Sequence, residues 1–378
     1  MCGWPQFEFG EKMGENGRYT IVRKLGWGMH SSTWLARDDV DKRYVAVKAL
    51  TGHITELVWR YYVFEEQILE MLSKPPASPH CVPLLDKFTL PGLGSAGNHI
   101  CFVMPVYRGD VRKLMGADQS ESLPLPLVKR ILLHILRGLA HTHSHGVVHT
   151  DLKSDQFFIK HDLTTEEIDR CVEDDPPRRH PPEMSEDGVV HVAVSQPLPM
   201  VSMEEAMRAT YVLGDFGCAF EVKFKPTYTI TSPALRPPEV YLGGQWGTEA
   251  DIWTFGCLVF ELINSNPLFS YKPNPKLGLD ETAHILYQMI VFSGQDFSRE
   301  LLNDFPLADQ YFDSECNLKG NPKIPNTIIE HAFQQFKKIP RVDISKTAFF
   351  MRRCLSLYPE TRAKAEELLD DPWFEGVE

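Results

Sequence analysis

Three stretches in the first fifty residues carry β-branched and aromatic side chains at strand length. They are Tyr19–Arg23, Ser32–Ala36 and Tyr44–Lys48, with turn-like residues between them. From about Thr55 to Leu72, apolar residues at Val58, Tyr61, Tyr62, Ile68, Leu69 and Leu72 predict one helix, which Pro75-Pro76 stops. A Gly-containing turn over 91–98 leads into a strand at His99–Met104. Beyond Gly109 the period changes. Pro126–His143 reads as an amphipathic helix with Ile131, Leu132, Ile135, Leu136 and Leu139 on one side, and Thr248–Ile263, Glu281–Phe292 and Ile344–Leu357 are further helices. A strand-rich front and a helix-rich back predict two lobes joined near Pro105–Gly109. Residues 161–209 break the pattern. They are polar, acidic and Pro-rich, and they read as a partly flexible insert with a short strand at Val189–Val194.

Composition narrows the class. With 43% hydrophobic and 24% charged residues in 378, the chain can bury a large core. A net charge of -12 argues against non-specific nucleic-acid binding and favours basic partners. Met1–Gly10 does not read as a secretory leader, and the most apolar stretch, Ile252–Ile263, is too short to span a bilayer. The 8 cysteines form no CxxC pair, so reduced thiols are expected; Cys2 alone is weak evidence of acylation. The expectation is an intracellular monomer in cytoplasm or nucleus, without membrane attachment. Pro177-Arg178-Arg179-His180 is a faint nuclear signal.

Several clusters carry candidate chemistry. Gly26-Trp27-Gly28 joins two strands, where glycines let backbone N–H groups approach phosphates; alone, such a turn is usually only a turn. A dinucleotide-binding fold would need a third Gly where Ser31 stands, and a helix after it. Lys48 ends Val45-Ala46-Val47, and Glu65, on the following helix, can pair with it to hold it on the α- and β-phosphates; Glu66 competes for this place. His149-Thr150-Asp151-Leu152-Lys153-Ser154-Asp155-Gln156 is the strongest cluster. Asp151 can accept a hydroxyl proton, and Lys153 can neutralise a transferring phosphoryl group. The imidazoles of His141, His143, His145 and His149 invite a zinc reading, but no Cys or acidic residue is spaced with them as a ligand. Asp215-Phe216-Gly217 follows an apolar strand and offers a carboxylate to Mg²⁺. Glu239 and Arg362 are candidates for a buried pair, and Asp251 for a cap on the His149 turn.

In this order, these motifs resemble a protein kinase over essentially the whole chain. Within that family the chain is most similar to the SR-protein kinases of fungal type. The likeness rests on Leu25-Gly26-Trp27-Gly28, on Thr in His149-Thr150-Asp151, and on the insert before Asp215. The resemblance implies an α+β bilobal fold. Residues 1–106 would form a small β-rich N-lobe with a five-stranded sheet, and 107–378 a larger helical C-lobe carrying the 161–209 insert. It implies ATP and Mg²⁺. Gly26, Gly28, Val45, Lys48, Glu65, Met104 (as gatekeeper), Pro105 (through its carbonyl) and Tyr107 (through its N–H) would surround the nucleotide. Asp151 and Lys153 would be catalytic, and Asp215 and Gln156 would hold metal. The implied activity is Ser/Thr phosphorylation of a basic or Arg/Ser-rich protein. A small-molecule kinase fits Pro237-Pro238-Glu239 and Asp251-Ile252-Trp253 less well.

The chain departs from the family at four places. Ser31 replaces a glycine, Thr33 replaces Val, and Ser232-Pro233-Ala234-Leu235-Arg236 replaces a Thr-x-x-Tyr segment. Gln156 replaces the metal-binding Asn, which moves the amide oxygen by a bond length, about 1.5 Å. That change keeps an alternative open: a pseudokinase or scaffold holding nucleotide or a basic partner. Thr150, in place of Arg, implies activity that needs no phosphate on the activation segment.

Overall fold

Alternating burial along Tyr19–Trp27 (β2) and Ser31–Asp38 (β3) reflects a sheet with one face on a core. The computed structural model describes residues 3–116, 122–185, 188–224, 229–325 and 329–378, so Cys2 lies outside the described residues. The chain forms two compact units. One comprises Met1–Leu114 and Phe157–Gly217; the other comprises Met115–Gln156 and Cys218–Glu378. The first is β-rich and the second helical, as an α+β kinase-like fold requires.

The β-rich unit is built on an antiparallel sheet of six strands, not five. Lys12–Met13 (β1) pairs with β2, followed by β3, Arg43–Leu50 (β4), Asn98–Met104 (β6) and Asp86–Pro91 (β5). One predicted helix over 55–72 is in fact two, Gly52–Trp59 (α1) and Glu65–Leu72 (α2). Tyr61 adopts a left-handed φ of 59°, which breaks the helical repeat. Tyr61 and Tyr62 are 69% and 67% exposed, so the aromatic positions that suggested one helix do not face the core.

The insert is more structured than its composition suggests. It carries a helix at Thr165–Asp174 and a hairpin of Glu183–Ser185 with Gly188–Val190, shorter than the strand expected at 189–194. It ends in a short helix at Met203–Ala206. A few apolar anchors suffice: Ile168 and Leu198 pack on Leu35, and Ala193 joins the core of Phe7, Trp34 and Val47. Arg179 donates to the Phe7 carbonyl at 2.9 Å and lies 4.5 Å from the Phe9 ring centre, so this basic residue is engaged in packing.

In the helical unit, helix Leu125–Ser144 turns a broad apolar face inward, and helix Thr248–Asn264 is buried nearly all round. Helix Glu281–Ser293 is capped by Asp280, which accepts from the Ala283 N–H at 2.7 Å, and ends at Gly294 with a φ of 67°. Among the described residues, no helix is long and apolar enough to cross a membrane.

Candidate active site

In the β-rich unit the glycine turn sits at the end of β2. Gly28 N–H donates to the Ser31 carbonyl at 2.9 Å, and Gly26 pairs with Thr33. A Cβ built on Gly26 or Gly28 would meet no heavy atom within 4 Å. The backbone there is open to a ligand, the condition a phosphate cradle requires.

Lys48 is the centre of this half. Its Nζ lies 2.5 Å from Glu65 Oε1 and 2.9 Å from Asp215 Oδ1. Glu66 pairs instead with Lys87, so the sequence's two candidates separate cleanly. Burial alone would lower the Lys48 pKa, but the charges of Asp215 and Glu65 outweigh it and hold it above the ordinary lysine value. Burial pushes Glu65 upward, with Lys48 opposing. Glu65 is the first residue of α2, so the placement of that helix sets the pair.

Val45 is a correction. Side chains alternate along a strand, so Lys48 and Ala46 share one sheet face and Val45 the other. Val45 is buried among Tyr19, Ile21, Trp34 and Val103 in the core of that opposite face, and Ala46 takes the place beside Lys48. Strand alternation was readable from the sequence and points to Ala46.

Asp215 has a φ of 57°, and Phe216 beside it is buried. Gly214 is required there, because a Cβ would come within 2.4 Å of the Phe158 ring. The strand before it, Thr210–Leu213, pairs with Phe157–Lys160. Met104 ends β6 opposite Ala46, followed by Pro105, which offers a carbonyl and no N–H. The Tyr107 ring stacks on Phe158 at 5.3 Å, and burial pushes its phenol pKa up, keeping it neutral.

In the helical unit, the His149 turn is fixed by Asp251. This carboxylate accepts from the backbone N–H of His149 at 2.7 Å and of Thr150 at 2.9 Å. His143 Nε2 lies 2.9 Å from the same carboxylate. Among the described residues, no group of three His, Cys, Asp or Glu is placed to hold a metal, so the histidines build no zinc site there. Thr150 has a φ of 67°, and its hydroxyl donates to the Cys218 carbonyl at 2.6 Å. Nothing in the sequence pattern signalled that bond. Lys153 Nζ lies 3.0 Å from Asp151 Oδ2. Gln156 closes the turn Ser154–Gln156, with its N–H donating to the Lys153 carbonyl at 2.9 Å.

Arg362 donates to both oxygens of Glu239, at 2.7 and 2.8 Å, with both side chains buried. Arg236 of the altered segment donates to the Ile230 and Thr231 carbonyls, both at 3.0 Å, and lies over the Tyr241 ring. That segment is braced internally.

The residues present fit the expected ligands. Open glycine backbone and an ammonium held by two carboxylates suit phosphates. In the β-rich unit Asp215 offers a hard oxygen donor of the kind Mg²⁺ prefers, and that ion needs only one or two protein carboxylates; Gln156, in the helical unit, carries an amide oxygen.

Comparison with known proteins gives a consistent picture. The protein kinase domain model matches residues 19–170 and 198–374, leaving only the middle of the insert unmatched between them. The chain is 29% identical over 385 residues to the serine/threonine-protein kinase SRPK of Physarum polycephalum, covering 97% of this chain and 88% of that one. It is 29% identical over 374 residues to a serine/threonine protein kinase of Aspergillus fumigatus, covering 96% and 86%. A local match of 36% over 151 residues links it to human SRSF protein kinase 3, covering 38% of this chain and 26% of that one.

Proposed function

The chain belongs to the protein kinase domain family, and from that premise we propose that it transfers the γ-phosphoryl group of ATP to serine, in Arg/Ser-rich proteins. The observation that carries the reading is Lys48 held between Glu65 and Asp215. A cation fixed in this way is prepared for the α- and β-phosphates and loses little freedom when they arrive. The open backbone at Gly26 and Gly28 lies over the same nucleotide in this reading. Pro105 offers its carbonyl and Tyr107 its N–H to the adenine.

Asp151 orients the serine hydroxyl and takes its proton as the new O–P bond forms. The bond from the γ-phosphorus to its bridging oxygen breaks, and ADP leaves. Lys153 stays near Asp151 and balances the charge on the moving phosphoryl group. Asp215 and Gln156 would hold Mg²⁺, which would supply charge neutralisation on the phosphates. The scaffold alternative, motivated by Gln156, draws no support from the relatives, which are named as kinases.

Two features support an Arg/Ser-rich substrate: the likeness to SRPK and SRSF kinases, and the net charge of -12. Free thiols, among the described residues, suit a reducing intracellular compartment. The test compares an Arg-Ser-repeat peptide with a Lys-Ser-repeat peptide of equal length. Arg presents a planar fork that Lys lacks, so kcat/KM for the Arg-Ser peptide should be higher by about tenfold or more. Equal use of the two would remove the Arg/Ser preference and leave a kinase of broader specificity.

A further inference from the structure

The adenine-facing backbone is tied to the insert through one side chain. Arg108 follows Tyr107 and is only 8% exposed. Its Nε donates to the Pro199 carbonyl at 3.2 Å, Nη2 to the Met200 carbonyl at 3.3 Å, and Nη1 to Glu205 Oε1 at 2.7 Å. Glu205 is itself fixed, because it accepts from the Ser202 N–H at 2.7 Å in a capping box. The Arg108 N–H donates to the Ile159 carbonyl at 3.1 Å, and the Ile159 N–H to the Gly109 carbonyl at 3.0 Å. Gly109 has a φ of 111°, and a Cβ there would stand 2.7 Å from Met200. The connection is therefore closed by backbone on one side and by the insert on the other.

Behind residues 105–106, Val106 packs on the apolar cluster of Leu35, Ile168 and Leu198. A cavity of about 200 Å³ lies against this stretch, lined by Pro105, Val106, Arg108, His161, Ile168 and Leu198. Beside that cavity, the guanidinium fork adds directional, polar restraint to the apolar packing of Val106.

We propose that Arg108 is a positioning residue for nucleotide recognition, and that the insert segment 198–206 is, through Arg108, part of the adenine site. The proposal rests on the kinase reading above. The Arg108 guanidinium is engaged by the insert. It sets the direction in which the Pro105 carbonyl and Tyr107 N–H point. Releasing it adds an ordering cost on binding, and a cost of this kind weakens adenine binding by up to about tenfold.

The experiment uses two probes that report on different parts of the nucleotide. Calorimetry with adenosine reads the adenine end; inorganic tripolyphosphate reads the end held by Lys48. In Arg108→Met, adenosine should bind about tenfold more weakly while tripolyphosphate binding is unchanged, and ATP should show a raised KM with kcat within about twofold. Arg108→Lys keeps one charged contact and should fall between. Glu205→Gln keeps the cap acceptor but loses the charge, and should move adenosine affinity in the same direction by less. Unchanged adenosine affinity in all three variants overturns the proposal. Equal loss of both probes also overturns it, because the role of Arg108 would then be the fold itself. A wild-type protein that binds neither probe rejects the kinase reading, and the proposal with it.

Discussion

In the proposed reaction, Gln156 is the residue on which catalytic rate should turn. It sits in the turn that carries Asp151 and Lys153, and its amide oxygen is one methylene farther from the backbone than that of Asn. Mg²⁺ demands near-octahedral geometry, so Gln156→Asn should raise kcat in Mg²⁺, on the order of 10- to 100-fold, with a smaller gain in Mn²⁺. Steady-state kinetics in each metal checks this, and equal rates before and after the change would show that Gln is an adapted ligand. Thr150 sets a second expectation. Its hydroxyl is committed to the Cys218 carbonyl and it offers no cation to an activation-segment phosphate. Phosphatase treatment should leave kcat/KM unchanged within about twofold, an outcome that phosphate-site mass spectrometry paired with kinetics can refute.

At the scale of elements, the turn between β3 and β4 shows how local electrostatics pins the sheet. Asp38 accepts from Arg18 Nε at 2.9 Å and Nη2 at 2.7 Å, and from the N–H groups of Val40 and Asp41. The Arg18 guanidinium, with those N–H groups, holds its carboxyl at about 2, below the ordinary 3.8. A depressed folded-state value means stability that is present above pH 3.8 and lost as pH falls towards about 2. Asp38→Asn should lower the unfolding midpoint at neutral pH, and its gap to wild type should close over that window in urea titrations. In the helical unit, Glu239→Gln leaves the buried Arg362 guanidinium uncompensated and should cost about 3–5 kcal/mol by denaturant unfolding. Much of this was legible in advance. Strand spacing and the long helices follow from periodicity, and motif order gave Lys48 a partner at Glu65 or Glu66, between which the structure chooses Glu65. The break at Tyr61 was hidden because exposed aromatics mimic an apolar face. The side-chain bonds of Thr150 and Arg108 join residues far apart in sequence, to partners that no local pattern marks.

At the level of the whole molecule, the acidic balance and kinase architecture point to one activity, and the insert belongs to the compact β-rich unit instead of hanging from it. Composition misled about the insert because scattered apolar anchors such as Ile168, Ala193 and Leu198 do not register against its many charges. In the proposed reaction, phosphate moves from ATP to a serine hydroxyl through Asp151. The direct measurement is phosphate incorporation into an Arg-Ser-repeat peptide with ATP and Mg²⁺, comparing wild type with Asp151→Ala. Asp151 is a loop side chain paired with Lys153, so the variant should keep its melting temperature and lose at least about 100-fold in turnover. Equal incorporation by the two proteins would rule this reaction out, since its proton acceptor would then be dispensable.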